Sequence, residues 1–193
     1  MANIAIFGGT FNPFHIGHYE MLSSICELDN IDKVLVMPDK IPPHKKCDYI
    51  ADDIHRQAMC QLACDDFSKA ELCLIEFERE GKSYTVDTIK SLKQKYPYDN
   101  FFVVIGGDML STLDKWYCWQ ELITLTDFIA FKRQGLADFY DAYCRLTGYG
   151  ANIMIIDSNI TNISSTKLRK KIDKNLLPEK VYDYIIEKGI YDV

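Results

Sequence analysis

Residues 4–18 read IAIFGGTFNPFHIGH, an apolar run that leads into a glycine-rich turn and then into a pair of histidines. The run at 4–7 predicts a strand, and the two glycines after it let the backbone turn and approach a ligand closely. A helix is predicted to begin near 16–18, where its N-terminal N–H groups favour a phosphate. The stretch therefore predicts a phosphate-binding strand–turn–helix unit. It is neither a Walker loop nor a GxGxxG turn, because the glycines and the Lys-Ser/Thr pair of those motifs are missing.

Further apolar runs extend this unit into a fold. Strands are predicted at 4–7, 33–37, 101–105 and 128–131, with further candidates at 152–156 and 72–77. The helices predicted from the remaining segments are 18–28, 54–65, 85–96, 110–113, 119–122, 165–174 and 178–188. Continuous apolar runs are typical of strands buried on both faces of a parallel sheet. We expect an α/β fold, a doubly wound Rossmann-like parallel sheet flanked by helices. One domain over 1–193 would carry a small C-terminal helical extension at about 164–193.

Composition limits the classes of function. The chain is 48% hydrophobic, with a formal net charge of −6, which argues against a nucleic-acid binder because such proteins need an excess of Lys and Arg. Its seven cysteines are an odd number without a CxxC pair, which favours free thiols in a reducing cytosol over disulfides or a zinc site. No apolar run reaches the length of a membrane span, and the N-terminus lacks a signal-peptide pattern. We expect a cytoplasmic protein that binds no membrane and no nucleic acid.

His15 and His18 form an HxGH pair at the predicted helix start. Both imidazoles are placed to donate hydrogen bonds to phosphate oxygens and so to stabilise charge that builds up during phosphoryl transfer. Gly17 between them would leave room for a phosphate against the backbone. The alternative is structural, with one histidine capping the helix and the other packing in the core. We favour the functional interpretation because two of the chain's four histidines stand in one glycine-flanked strand exit.

The C-terminal stretch ISSTKLR, at 163–169, offers a second group of phosphate ligands. Ser165 and Thr166 bring hydroxyl and N–H groups to a predicted helix start, and Arg169 adds a planar fork one turn later. An ordinary Ser/Thr cap followed by a solvated basic face explains the same residues, and both interpretations stay open.

Single residues at other strand exits are further candidates. Lys45 follows Pro42-Pro43 in a stiff loop, which is either a phosphate or ribose contact or an exposed basic loop. Asp108, after Gly106-Gly107, would accept hydrogen bonds from ribose hydroxyls or cap the helix that follows. Arg133 follows the strand at 128–131 and is a candidate for the side of the second substrate.

These motifs occur together, in the order GGTFNPFHIGH at 8–18, PPHK at 42–45, SYTVDT at 83–88, GGD at 106–108 with Trp116, and ISSTKLR. They resemble the HxGH nucleotidyltransferases, and the chain is similar to bacterial nicotinate-nucleotide adenylyltransferases over nearly its whole length. Asn12 stands where many members have Asp, and Gly107 where many have Ala. The resemblance implies that the phosphate of nicotinate mononucleotide attacks the α-phosphate of ATP. The products would be deamido-NAD and pyrophosphate, without a covalent enzyme intermediate.

The resemblance also implies a role for each site residue. The catalytic residues that contact ATP phosphates would be His15, His18 and Arg169. Those that line the ATP site would be Gly8, Gly9, Thr10, Phe11, Asp108, Ser165 and Thr166. On the nicotinate-nucleotide side the resemblance implies Thr85, Trp116 and Tyr117. Lys45 and Arg133 join them as candidates because of their positions in the sequence. Mg²⁺ is expected to arrive with ATP and to be held mainly by phosphate oxygens rather than by a metal site of the protein. A homo-oligomer stays an open alternative.

The residues that would hold the pyridine ring indicate whether the acid or the amide form of the mononucleotide is the preferred substrate. A pyridine ring is held well by a flat aromatic face, here Trp116, while N–H groups near Thr85 and Tyr117 would suit a carboxylate better than an amide. Trp119 is the alternative aromatic, and a pattern of Leu113, Trp116 and Leu122 also fits plain core. Competing interpretations are a phosphopantetheine or glycerol-phosphate nucleotidyltransferase, an enzyme for nicotinamide mononucleotide, and a nucleotide sensor without catalysis.

Overall fold

The fold is built on one parallel sheet. The computed structural model describes residues 1–40, 50–79, 81–132, 138–157 and 159–191. Six strands among them pair in the order β3-β2-β1-β4-β5-β6, and every pairing is parallel. The strands are β1 (Asn3–Gly9), β2 (Lys33–Pro38), β3 (Ala70–Leu72), β4 (Asn100–Gly106), β5 (Asp127–Phe131) and β6 (Ile153–Ile156). The predicted Rossmann-like α/β fold is confirmed.

Helices connect the strands and cover both faces of the sheet. Within the described residues they are α1 (Ile16–Cys26), α2 (Asp53–Cys64), α3 (Thr85–Lys95), α4 (Gly107–Leu110), α5 (Trp119–Leu125), α6 (Phe139–Gly148), α7 (Ser165–Lys170) and α8 (Glu179–Lys188). Short 3₁₀ turns add Ile75–Glu78, Leu113–Lys115 and Lys174–Leu176.

The continuous apolar runs are explained by burial of the strands on both faces of the sheet. Alternate side chains of β1 point to opposite faces of the sheet. Ile4 and Ile6 therefore pack in a core layer with Ile89 of α3. Ala5 and Phe7 pack in the opposite layer with Leu22 of α1. Because both faces are covered by helices, both sets of residues must be apolar.

Several predicted elements differ from the structure. The strand expected at 72–77 is wrong: β3 ends at Leu72, after pairing with β2 from Val34↔Ala70 to Val36↔Leu72, and Ile75–Glu78 is a 3₁₀ turn. The helix expected at 165–174 already ends at Lys170, and the one expected at 110–113 is split into α4 and the 3₁₀ turn Leu113–Lys115. Helix α6 was not predicted, although Phe139, Ala142 and Leu146 form its buried stripe.

The described cysteines form no disulfides. The thiols of Cys26, Cys60, Cys64, Cys73, Cys118 and Cys144 are free. Burial raises the pKa of the Cys26 thiol to about 11 and that of the Cys64 thiol to about 12, so both stay protonated at neutral pH.

Within the described ranges, no helix is both long enough and apolar enough to cross a membrane.

Candidate active site

A cavity of about 660 Å³ opens at the carboxyl ends of β1 and β4. The chain passes outward from β1 to β2 and β3 and then returns to the other side of β1 as β4. The order of strands therefore reverses between β1 and β4, the position at which ligands bind in open α/β sheets. The fold itself makes this cavity the candidate site.

The cavity brings together residues that are far apart in the sequence. The predicted site residues that line it are Gly8, Gly9, Thr10, Phe11, His18, Thr85, Asp108, Trp116, Tyr117, Ser165, Thr166 and Arg169. Among the predicted residues that the structure describes, His15 alone is absent from this lining. Lys45 and Arg133 lie outside the described residues.

The turn after β1 is shaped by an aromatic ring. β1 continues to Gly9 rather than ending at residue 7, and Phe11 follows with a left-handed φ of 46°. The Phe11 ring lies against Gly9, where an added Cβ would meet ring atoms at 3.1 Å. The same ring packs edge-to-face with the His18 ring, with centroids 5.0 Å apart. Because Gly9 has no side chain, the Phe11 ring has room to pack against His18.

His15 and His18 form a reciprocal cap at the start of α1. The His18 N–H donates to His15 Nδ1, and the His15 N–H donates to His18 Nδ1, each at 3.3 Å. The two rings are stacked, with centroids 3.6 Å apart and planes at 11°. Because both Nδ1 atoms accept, each neutral ring carries its proton on Nε2, which leaves Nε2–H as its donor.

The two histidines differ in exposure. His15 is only 4% exposed and is the N-cap residue of α1, as the structural alternative supposed. His18 is half-buried and lines the cavity. The capping and functional interpretations are therefore compatible, since the cap fixes the ring that faces the cavity.

Gly17 is required for a reason other than the predicted one. A Cβ there would meet the Thr161 carbonyl oxygen at 2.7 Å, so the space is filled by the segment after β6 rather than left for a phosphate. Glu20 holds the same segment, because its carboxylate accepts the Thr161 N–H at 2.6 Å and the Thr161 hydroxyl at 2.7 Å. Helix α1 thus sets the position of the chain that leads into α7.

We predict that Gly17→Ala lowers the free energy of unfolding by about 1–3 kcal/mol, the usual cost of overpacking a site that cannot move freely. Urea denaturation would measure it. Gly148→Ala is the matched control, since a Cβ there meets nothing within 4 Å. Equal stability of the two variants would contradict the close contact with Thr161.

Helix α7 contributes Ser165, Thr166 and Arg169 to the lining of the cavity. Ser164 is its N-cap and accepts the Lys167 N–H, so the capping interpretation holds for Ser164. Arg169 links α7 to the turn after β1: Nη1 donates to the Asn12 carbonyl at 2.9 Å and Nη2 to Thr166 Oγ1 at 3.3 Å. The guanidinium is therefore held at the mouth of the turn that follows β1.

Asp108 is not a helix cap. Gly106 is the N-cap of α4, and Asp108 lies exposed in the first turn of that helix. Asp108 lines the cavity just beyond the end of β4. The alternative that Asp108 caps the helix was wrong.

Three aromatic residues, Tyr84, Trp116 and Tyr117, form an aromatic compartment in the lining of the cavity. Trp116 follows the 3₁₀ turn Leu113–Lys115 and is half-buried against the core. The rings of Tyr84 and Tyr117 pack at 4.6 Å between centroids, and Tyr84 is the N-cap residue of α3, directly before Thr85. A hydrogen bond with Cys118 raises the pKa of the Tyr117 hydroxyl, which stays protonated.

The structure distinguishes the two tryptophans. Trp116 lines the cavity, whereas Trp119 packs against Tyr149, with ring centroids 5.3 Å apart. The plain-core interpretation is right for Leu113 and Leu122, which are completely buried.

Two buried charged residues near the cavity were missed. Arg56 is 0% exposed and lies behind the turn after β1. Glu76 lines the cavity at 7% exposure, and its Oε1 accepts the Thr88 hydroxyl at 2.7 Å. A signal for Arg56 existed, since it falls on the buried stripe of α2 together with Met59 and Ala63.

Comparison with known proteins shows the family to which the chain belongs. The cytidylyltransferase-like family matches residues 6–171. The nicotinate-nucleotide adenylyltransferase of Bacillus subtilis (strain 168) is 40% identical, with 100% of both chains covered. A probable nicotinate-nucleotide adenylyltransferase of Shewanella woodyi is 36% identical, with 97% of this chain and 98% of the relative covered. The fold is shared with Plasmodium falciparum nicotinic acid mononucleotide adenylyltransferase complexed with APC, at a TM-score of 0.82, 24% identity, and coverage of 100% and 98%. The chain therefore belongs to the nicotinate-nucleotide adenylyltransferases, which are nucleotidyltransferase enzymes.

Proposed function

We propose that this enzyme transfers the adenylyl group of ATP to nicotinate mononucleotide, forming deamido-NAD and pyrophosphate in NAD biosynthesis. The observation that carries the proposal is one cavity lined by two unlike groups of residues. The glycine turn, His18 and Arg169 offer hydrogen-bond donors, and Trp116 and Tyr117 offer aromatic rings. The activity in the name of the Bacillus subtilis relative supports the same assignment.

The chemistry requires positioning and charge stabilisation rather than a protein nucleophile. A phosphate oxygen of nicotinate mononucleotide forms a bond to the α-phosphorus of ATP, the bond from that phosphorus to the bridging oxygen breaks, and pyrophosphate leaves. Negative charge builds up on the leaving phosphates. His18 Nε2–H, the Arg169 guanidinium and the N–H groups of the glycine turn are the donors proposed to stabilise it. His15 supports them by fixing the His18 ring.

Mg²⁺ is proposed to enter with ATP. The described residues contain no group of three or more His, Cys, Asp or Glu side chains arranged to hold a metal ion. ATP oxygens would then supply most of the ligands, as is usual for Mg²⁺. When bound, the ion would neutralise charge on the β- and γ-phosphates. Asp108 is proposed to accept hydrogen bonds from ribose hydroxyls of ATP.

The aromatic compartment is proposed to select the nicotinate ring. The ring would stack on Trp116, and its carboxylate would accept N–H groups from the first turn of α3 at Thr85 and from Tyr117. An amide brings its own N–H donors and would leave some of them facing other donors, so the acid is favoured. Lys45 and Arg133 remain predicted contacts of this substrate.

Trp116→Ala is expected to raise KM for nicotinate mononucleotide about tenfold or more, because stacking on an aromatic face contributes roughly 1–3 kcal/mol. KM for ATP should change little, since the residues proposed to bind its phosphates are untouched. Trp119→Ala is the matched control, because its ring packs against Tyr149 instead of lining the cavity. Equal effects of the two variants on KM would contradict the assignment of Trp116.

The proposed function is tested by initial rates of pyrophosphate release with ATP–Mg²⁺ and either nicotinate or nicotinamide mononucleotide. We expect a higher kcat/KM for the nicotinate form. Absence of release with both nucleotides would overturn the proposed reaction, and a higher kcat/KM with the amide would overturn the proposed preference alone.

We also infer that the chain is one nucleotidyltransferase domain that works in the cytoplasm. Leu168 and Val181 of the C-terminal helices pack in the same core layer as Leu22 of α1, which supports a single domain. The free thiols among the described cysteines suit a reducing compartment.

A further inference from the structure

Arg56 is a completely buried cation that the proposed reaction does not use. It lies on α2, and its side chain is closed off from solvent at 0% exposure. A buried guanidinium is tolerated only where its N–H groups find acceptors. Nη2 donates to the Asp53 carboxylate, and its other acceptors are backbone carbonyls.

Those carbonyls belong to three separate segments. Arg56 Nη1 donates to the Thr10 carbonyl at 3.1 Å and to the Asp39 carbonyl at 2.7 Å, while Nε donates to the Ala51 carbonyl at 3.3 Å. Thr10 belongs to the turn after β1, and Asp39 follows β2 directly. Thr10 and Asp39 are also joined to each other, by a hydrogen bond from Thr10 Oγ1 to Asp39 Oδ2 at 3.2 Å. One side chain thus fixes the ends of two neighbouring strands.

The direction of the Thr10 carbonyl has a consequence for the cavity. In a trans peptide the C=O of one residue and the N–H of the next point in opposite directions. Because the Thr10 C=O points to Arg56, the Phe11 N–H points away from it. Thr10 and Phe11 line the cavity and Arg56 does not, so this N–H is turned to the ligand side of the turn.

We propose that Arg56 is a positioning residue of the nucleotide site, which holds the Thr10 peptide so that the Phe11 N–H faces the phosphates of ATP. The inference rests on the proposed adenylyl transfer. It adds that the phosphate turn depends on a cation buried behind it, in a different helix. Arg56 touches neither substrate and acts through the backbone alone.

Arg56→Lys is the central test. Lysine keeps the charge but replaces the planar fork by a single nitrogen, which cannot reach all these carbonyls in their fixed directions. Since small misplacements of reacting groups cost up to about 100-fold in rate, we expect kcat/KM for ATP to fall roughly 10- to 100-fold. KM for nicotinate mononucleotide should stay near the wild-type value, because the aromatic compartment does not contact Arg56. Arg56→Met should lose at least as much.

Two matched variants separate positioning from stability. Asp53→Asn removes the ion pair and leaves the three carbonyl bonds, so it should lower Tm without changing kcat/KM for ATP. Lys33→Arg alters a basic residue at the amino end of β2, whose ion pair is with Glu71 and which does not line the cavity, and should change no kinetic constant.

The outcomes are distinct. A folded Arg56→Lys variant with wild-type kcat/KM for ATP would overturn the proposal, and so would equal increases in KM for both substrates. If both Arg56 variants fail to fold while Asp53→Asn is fully active, Arg56 serves stability alone and the proposal is also overturned. Failure of the proposed reaction would appear separately, as a wild-type enzyme that releases no pyrophosphate.

Discussion

His18→Ala is expected to lower kcat by about 10²–10³-fold, the usual effect of removing one donor that stabilises charge in the transition state. The His18 ring lines the cavity, and the cap through Nδ1 leaves Nε2–H as its donor. KM for ATP should change little, because this donor contributes most when charge builds up on the leaving pyrophosphate. Initial rates of pyrophosphate release at varied ATP would measure both constants.

Two further histidine variants sharpen this prediction. His18→Gln should retain more activity than His18→Ala, because a glutamine amide can place an N–H near the position of imidazole Nε2. His55→Ala is the control, since the His55 ring contacts the Tyr184 hydroxyl at 3.0 Å and does not line the cavity. An unchanged kcat in His18→Ala would contradict the role assigned to the imidazole.

Arg169→Ala is expected to lower kcat/KM for ATP roughly 10- to 100-fold, because a hydrogen bond to a charged group contributes about 1.5–3 kcal/mol. The Asn12 carbonyl and Thr166 Oγ1 hold the guanidinium in place before any ligand binds. Such a preorganised fork costs little to order when ATP arrives. Arg169→Lys should recover only part of the loss, since lysine cannot make the same bidentate contact.

The neighbouring Lys170 gives the control for Arg169. It lies on the same helix but is exposed and does not line the cavity. Lys170→Ala should therefore leave kcat and KM for ATP unchanged in the same assay. If this variant and Arg169→Ala lost activity equally, the effect would reflect the general positive charge of α7 rather than the placement of one guanidinium.

Local sequence patterns predicted the parts of the fold that depend on local causes. The run at 4–7 predicted β1 because a strand covered on both faces must be apolar throughout. β3 is only Ala70–Leu72, and it exists through its pairing with β2. A strand so short carries too little pattern of its own, which is why the prediction at 72–77 failed.

The site shows the same division between local and distant causes. The HxGH spacing predicted where His18 would stand, since a strand, a turn and a helix start determine it. The requirement for Gly17 depends on the Thr161 carbonyl, which a distant segment brings against α1. The position of Arg56 on the buried stripe of α2 hints at its burial, but the three carbonyls that accept its N–H groups come from separate segments that only the folded chain brings together.

The central claim is that this cavity joins the α-phosphate of ATP to nicotinate mononucleotide. It is tested most directly by incubating the enzyme with Mg²⁺, nicotinate mononucleotide and ATP labelled at the α-phosphate. The account predicts that the label appears in nicotinate adenine dinucleotide, together with an equal amount of unlabelled pyrophosphate. Label that is released as AMP or ADP, or that stays in ATP, would contradict it.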